Sequence, residues 1–131
     1  MLTETEARAW IEAYGEAWMT QDPDRIVKLF TPDAVYQERR FREPMRGLGA
    51  VRAYWKDIVH DLQHDVHFEV SEVAVAGEEA FVHWRAHFSW RPINGILELD
   101  AMARIGFTPD RNADGLRLVR TFEEWIDSRE G

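Results

Sequence analysis

Apolar residues recur with two different periods along this chain, and the change of period divides it in two. Ala7, Trp10, Ile11, Tyr14, Ala17 and Trp18 fall on one face of a helix. Thr3 is placed to cap that helix, and Glu6 three residues on completes a capping box. Gly15 sits inside it, where glycine costs about 1 kcal/mol relative to alanine and favours close packing. The helix is expected to end near Gln21. Asp22-Pro23 then starts a short second helix, with Ile26, Val27, Leu29 and Phe30 as its apolar side. Pro32 forces Thr31 out of helical geometry, and the chain turns into a strand from Val35 to Arg39. A charged, irregular connection, Arg39 to Arg46, leads to a third helix that opens at Gly47 to Gly49. Its stripe is Val51, Tyr54, Trp55, Ile58, Val59 and Leu62.

Beyond Leu62 the period falls to two. Val66, Phe68 and Val70 alternate with polar residues, and the phase then slips so that Val73 and Val75 are apolar, which predicts a β-bulge. Ala76 to Glu79 is a hairpin turn. Val82, Trp84, Ala86, Phe88 and Trp90 form the clearest alternation in the chain, and Pro92 to Gly95 turns it back. Ile96 to Phe107 and Leu116 to Trp125 are the last two strands, separated by a polar loop. Helices first and hairpin-linked strands afterwards predict a single α+β domain, residues 1–131, with a curved, mainly antiparallel sheet folded around helices.

Composition narrows the function classes. The 131 residues are 45% hydrophobic, enough for a core, and include no cysteine. Disulfides, thiolate metal sites and cysteine nucleophiles are therefore excluded. With 24 acids against 16 bases the net charge is −8, which argues against nucleic acid and anionic membrane surfaces. No signal peptide and no membrane span is expected, and the location expected is cytoplasmic. The six tryptophans fit either a well-filled core or an aromatic-lined cavity.

No metal site is expected. His83 and His87 share a strand face but lie ~13 Å apart along it. His60 and His64 have helical spacing but lack the central acid of a helical zinc motif. No serine stands in a nucleophile elbow, and Gly47-Leu48-Gly49 is too short to cradle phosphate. Carboxylates remain. Glu98 and Asp100 share one strand face with Met102 and Arg104, while Leu97, Leu99, Ala101 and Ala103 take the other. If the acidic face is concave and covered, burial raises both pKa values and makes the pair proton donors near neutral pH. If it is wet, Arg104 or Arg120 pairs them across the sheet.

The chain resembles the nuclear-transport-factor-2-like superfamily, and within it the SnoaL-like polyketide cyclase and ketosteroid isomerase group. The resemblance runs over nearly the whole length. It rests on Tyr14 to Trp18, Asp33-Ala34-Val35-Tyr36, Gly47 before Val51-Arg52-Ala53-Tyr54-Trp55, Val82-His83-Trp84-Arg85, Glu98-Leu99-Asp100 and Glu124-Trp125. It implies a cone-shaped sheet wrapped around the long N-terminal helix, of the NTF2-like or cystatin-like kind, with an apolar pocket at the open end. It also implies a homodimer through the sheet's outer face, a small apolar or aromatic ligand, and no cofactor. Steroid isomerases of the group use a tyrosine on the first helix, a basic carboxylate after the first strand and a second acid on a late strand. Tyr14, Glu38 and Asp100 stand at those places. Glu38 replaces an aspartate, and the charged loop Arg39 to Pro44 departs from the isomerases. Trp18, Trp55, Trp84, Phe88, Glu98, Met102 and Trp125 are the candidate ligand contacts. Three functions fit: a cofactor-free isomerase or cyclase using carboxylate acid–base chemistry, a non-catalytic binder of an apolar metabolite, and a dimerisation module.

Overall fold

A computed structural model describes all 131 residues. Helix α1 spans Glu4–Thr20 and α2 spans Pro23–Val27. The capping box forms as the spacing demands: the Glu6 backbone N–H donates to Thr3 Oγ1 at 3.1 Å and the Thr3 N–H to Glu6 Oε1 at 3.0 Å. Strand β1, Phe30–Gln37, is followed by a two-residue strand β2, Met45–Arg46, inside the segment expected to be irregular. Two backbone pairings to β1 account for β2, which no hydrophobic pattern announces. Helix α3, Leu48–Tyr54, runs into a π-helical turn, Trp55–His60. Four long strands follow: β3 Gln63–Ala76, β4 Glu79–Trp90, β5 Gly95–Arg111 and β6 Arg117–Glu130.

These strands form one six-stranded sheet in the order β2-β1-β6-β5-β4-β3. All neighbours are antiparallel except β1 and β6, which run parallel. The register of β3 on β4 slips between Val70 and Glu72, where the apolar phase slips, and again between His64 and His67. Helix α1 lies against the concave face. An added Cβ at Gly15 would strike the Phe68 ring, so glycine is what lets α1 approach β3 this closely.

The core is aromatic. Trp10 stacks on Tyr14 at 5.5 Å, and Phe122 stacks on Tyr14 at 5.0 Å and on Tyr36 at 4.9 Å. At one end of the sheet, around Arg117, the chain is closed by ion pairs. At the other end the helices and strands splay apart. No helix of the chain is long and apolar enough to cross a membrane.

Candidate active site

The splayed end holds a cavity of about 450 Å³. Helix α1 contributes Tyr14 and Trp18, and β1 contributes Tyr36, with Glu38 just beyond its end. Tyr54, Trp55, Ile58 and Val59 come from α3 and the π-helical turn; π-helical turns are found often at functional sites. The sheet supplies Trp84 and Phe88 from β4, Leu97 and Leu99 from β5, and Glu124 and Ile126 from β6.

Glu124 is the central polar group. It is only 2% exposed and forms no ion pair, the one cation that acts on it being Arg39, whose influence is the smallest of those on its carboxyl. Its Oε1 accepts from the Tyr14 hydroxyl at 3.4 Å and from the Tyr36 hydroxyl at 3.5 Å. The two hydroxyls share a hydrogen bond of 2.8 Å, in which either oxygen can donate. Burial, reinforced by the negative charge of Glu38, pushes the Glu124 carboxyl well above the usual carboxylate range. Burial likewise pushes the Tyr14 and Tyr36 hydroxyls up, and the proximity of Glu124 adds to the shift. With its proton on, such a carboxyl among phenols can donate hydrogen bonds to a developing oxyanion.

Glu38 sits at the cavity rim with 19% of its side chain exposed, and Arg39 Nε reaches it at 3.3 Å. Tyr54 faces the same carboxylate; burial and the Glu38 charge push its hydroxyl up.

Of the residues singled out in the sequence, Tyr14, Glu38, Trp18, Trp55, Trp84 and Phe88 come together around this cavity. Glu98, Asp100, Met102 and Trp125 do not. They lie on the opposite, outer face of the sheet. Asp100 is bonded by His83 Nε2 at 2.6 Å and Arg85 Nε at 3.1 Å. The His83 hydrogen bond, with help from Arg85, holds its carboxyl below the usual range, as the wet alternative implies, although Arg104 and Arg120 pair with Glu79 and Asp33 instead. Glu98 is bonded by Arg129 Nε at 3.0 Å. Met102 and Trp125 are 45% and 44% exposed, and the Arg40 guanidinium lies 4.4 Å from the Trp125 ring centre. Asp100, Met102 and Trp125 line a shallow cleft with Phe81 and Asp127.

The physical reason is the pleat. Leu97, Leu99, Ala101, Ala103 and Ile105 are uniformly apolar and turn inward, which forces the acids between them outward. The same rule would have located Glu124. It alternates with Phe122 and Ile126 on an apolar face, whereas Trp125 between them must point away.

Comparisons with known proteins agree with this architecture. A solved structure of the epoxide hydrolase/cyclase-like enzyme SalBIII, which functions in pyran ring formation in the polyether salinomycin, is 19% identical. The match covers 97% of this chain and 95% of that one, with a TM-score of 0.79. A ketosteroid isomerase-like protein from Erwinia carotovora atroseptica SCRI1043 matches at 15% identity and TM-score 0.70, covering 94% and 95%. A protein with a cystatin-like fold from Methylobium petroleophilum PM1 matches at 17% identity and TM-score 0.70, covering 99% and 81%. At these identities the likeness is one of fold. No curated protein matches the chain by sequence. The model of the SnoaL-like domain matches residues 11–122, from the middle of α1 to the Phe122 that stacks on both site tyrosines, and the chain belongs to the SnoaL-like domain family.

Proposed function

We propose that the cavity binds a small, largely apolar carbonyl compound and moves a proton on it without a cofactor, as in isomerisation or an aldol-type ring closure. The observation that carries this reading is Glu124: a buried acid with no ion-pair partner, bonded to two tyrosines on the wall of a cavity. Its second oxygen, Oε2, takes no hydrogen bond from the protein. In the neutral acid that oxygen can carry the proton and offer it to a ligand oxygen.

The steps balance without a co-reactant. The Glu38 carboxylate takes a proton from the carbon next to the carbonyl. The C–H electron pair becomes a C=C bond, and the carbonyl π pair moves to oxygen. Glu124 and Tyr14 stabilise that oxygen by hydrogen bonds that strengthen as its charge grows. Return of the proton to a different carbon completes an isomerisation. Attack of the enolate carbon on a second carbonyl completes a ring closure, with the proton going to the new alkoxide. Arg39 must release Glu38 for the first step. SalBIII, a cyclase-like enzyme of the same fold, supports chemistry of this kind.

The test uses 2-tetralone in D₂O with proton NMR. Wild-type protein is expected to exchange the protons next to the carbonyl faster than buffer. Tyr14→Phe and Glu124→Gln should each slow this by roughly 10²–10³-fold, and Glu38→Gln should return it to the buffer rate. Buffer-rate exchange with the wild type, or equal rates in all three variants, overturns the reading.

A second reading, a non-catalytic binder of an apolar metabolite, is favoured by the Glu38–Arg39 pair, which engages the base. Tight binding without exchange would select it. On the outer face, the half-exposed Met102 and Trp125 support self-association, which sedimentation velocity would read.

A further inference from the structure

Charge is unevenly placed along this chain. Arg39 to Arg46 holds four of the 16 bases and one of the 24 acids, a segment of net charge +3 in a chain of −8. It follows β1 and ends in β2, beside the cavity, where Arg39, Arg42, Glu43 and Met45 form part of the rim. Arg39 and Arg40 have internal partners, Glu38 at 3.3 Å and Glu123 at 3.0 Å. Arg42 and Arg46 are exposed and form no ion pair, in a chain where acids outnumber bases. Phe41, between Arg40 and Arg42, is fully exposed.

The turn that carries these side chains is anchored. Gln37 Nε2 lies 3.4 Å from the carbonyl oxygens of Arg39, Arg40 and Arg42, and the Arg42 N–H donates to the Arg39 carbonyl at 3.3 Å. Arg40 ties it to β6, donating to Glu123 Oε2 at 3.0 Å with its guanidinium 4.4 Å from the Trp125 ring centre. Phe41 and Arg42 are therefore presented on a pre-organised turn, which lowers the ordering cost of a contact. A single exposed phenylalanine has no significance by itself. Set among uncompensated arginines, it matches the composition of protein interfaces, where aromatic and arginine side chains are enriched.

We infer that Arg39 to Arg46 is a docking surface for an acidic protein, whose carboxylates meet Arg42 and Arg46 and whose apolar side chain covers Phe41. The bound partner sits at the mouth of the cavity. Charge selects the class. A nucleic acid or an anionic membrane extends past one loop and meets the acidic remainder of the chain, beginning with Glu38 and Glu123. An acidic protein segment can confine its charge to the patch, and its carboxylates fit the arginine fork. The inference rests on charge and exposure at the surface, not on the reaction proposed for the cavity.

The test uses the full chain and a fluorescein-labelled amphipathic peptide of glutamate and leucine, read by fluorescence anisotropy. The peptide is expected to bind, and to do so about tenfold more weakly at physiological than at low salt. In ¹⁵N–¹H NMR its amide shifts should centre on Arg39 to Arg46. Arg42→Glu combined with Arg46→Glu should abolish binding, and Phe41→Ala should weaken it by about tenfold. Lys28→Glu, an exposed base at the closed end, where Asn112 bonds the Lys28 carbonyl, should leave it unchanged. Four results overturn the inference: no peptide binding, amide shifts centred elsewhere, unchanged affinity in the double variant, or tighter binding of single-stranded RNA or phosphatidylglycerol vesicles than of the peptide. Sedimentation velocity of the chain alone adds a fifth: self-association that the double variant abolishes would make the occupant a second copy. The wild-type shifts and the competing probes decide even if a variant fails to fold. Peptide binding without tetralone exchange would remove the proposed reaction and leave the docking surface standing. Exchange without peptide binding would remove the docking surface alone.

Discussion

The two ends of the sheet each bury a charged type of side chain, and they treat it in opposite ways. At the closed end, Arg117 is 6% exposed and fully engaged. Its Nε donates to the Thr108 carbonyl at 2.9 Å, and its other nitrogens face Glu78 and, at 3.6 Å, Glu6. Glu6 is also bonded by Arg111 at 2.7 Å, and Glu78 accepts the Leu2 N–H at 2.9 Å. The Arg111 hydrogen bond, the Thr3 cap and Arg117 hold Glu6 down at about 2. This cluster ties the N-terminus, α1, the β3–β4 turn and the β5–β6 hairpin together. At the open end Glu124 is buried just as deeply but is given tyrosine hydroxyls and no ion-pair partner, so burial pushes its carboxyl well above the usual carboxylate range. A buried charge that is neutralised locks structure. A buried acid left without a counter-charge costs stability and keeps a proton available.

Breaking the closed end should have the largest effect. Arg117→Ala leaves two acids facing each other beside buried backbone, and should destabilise the fold by about 3 kcal/mol, seen as a fall in thermal midpoint. Glu124→Gln should do the reverse, raising the thermal midpoint at pH 7 while slowing exchange, because the amide needs no forced protonation. The pH dependence sharpens the contrast. Glu124 has a folded pKa above its unfolded value, so its contribution is fully present below about pH 4.3 and is lost as pH rises toward the folded value. Glu6 and Glu78 have lowered pKa values, so their contribution is present above that pH and is lost as pH falls, for Glu6 through about 2. Denaturation followed across pH should show the alkaline decline flattened in Glu124→Gln and the acid decline flattened in Glu6→Gln. The smallest effect belongs to Asp100→Ala. That side chain is half exposed in an outer-face ion pair, so neither the thermal midpoint nor exchange should change measurably.

Most of the architecture was legible because period and capping are local. Thr3 with Glu6, the phase slip near Val70 and the alternation from Val82 to Trp90 each specify their own geometry. The short β2 was not, since it exists only through pairing with β1. Half of the site was legible through Tyr14, Glu38 and the inward tryptophans. The second acid implied by the resemblance, Asp100, falls outside the cavity because the pleat turns Leu97 and Leu99 inward and the acids between them outward. Glu124 carried the better signal, an acid between Phe122 and Ile126 on one face. Its burial, however, depends on Tyr14 and Tyr36, which are far away in sequence.

The most direct test of the central claim is the titration of Glu124 itself, followed by carboxyl ¹³C NMR with Glu124→Gln for assignment. Glu124 is expected to keep its proton well above the ordinary glutamate value of about 4.3. A Glu124 signal that ionises together with the exposed glutamates would contradict it.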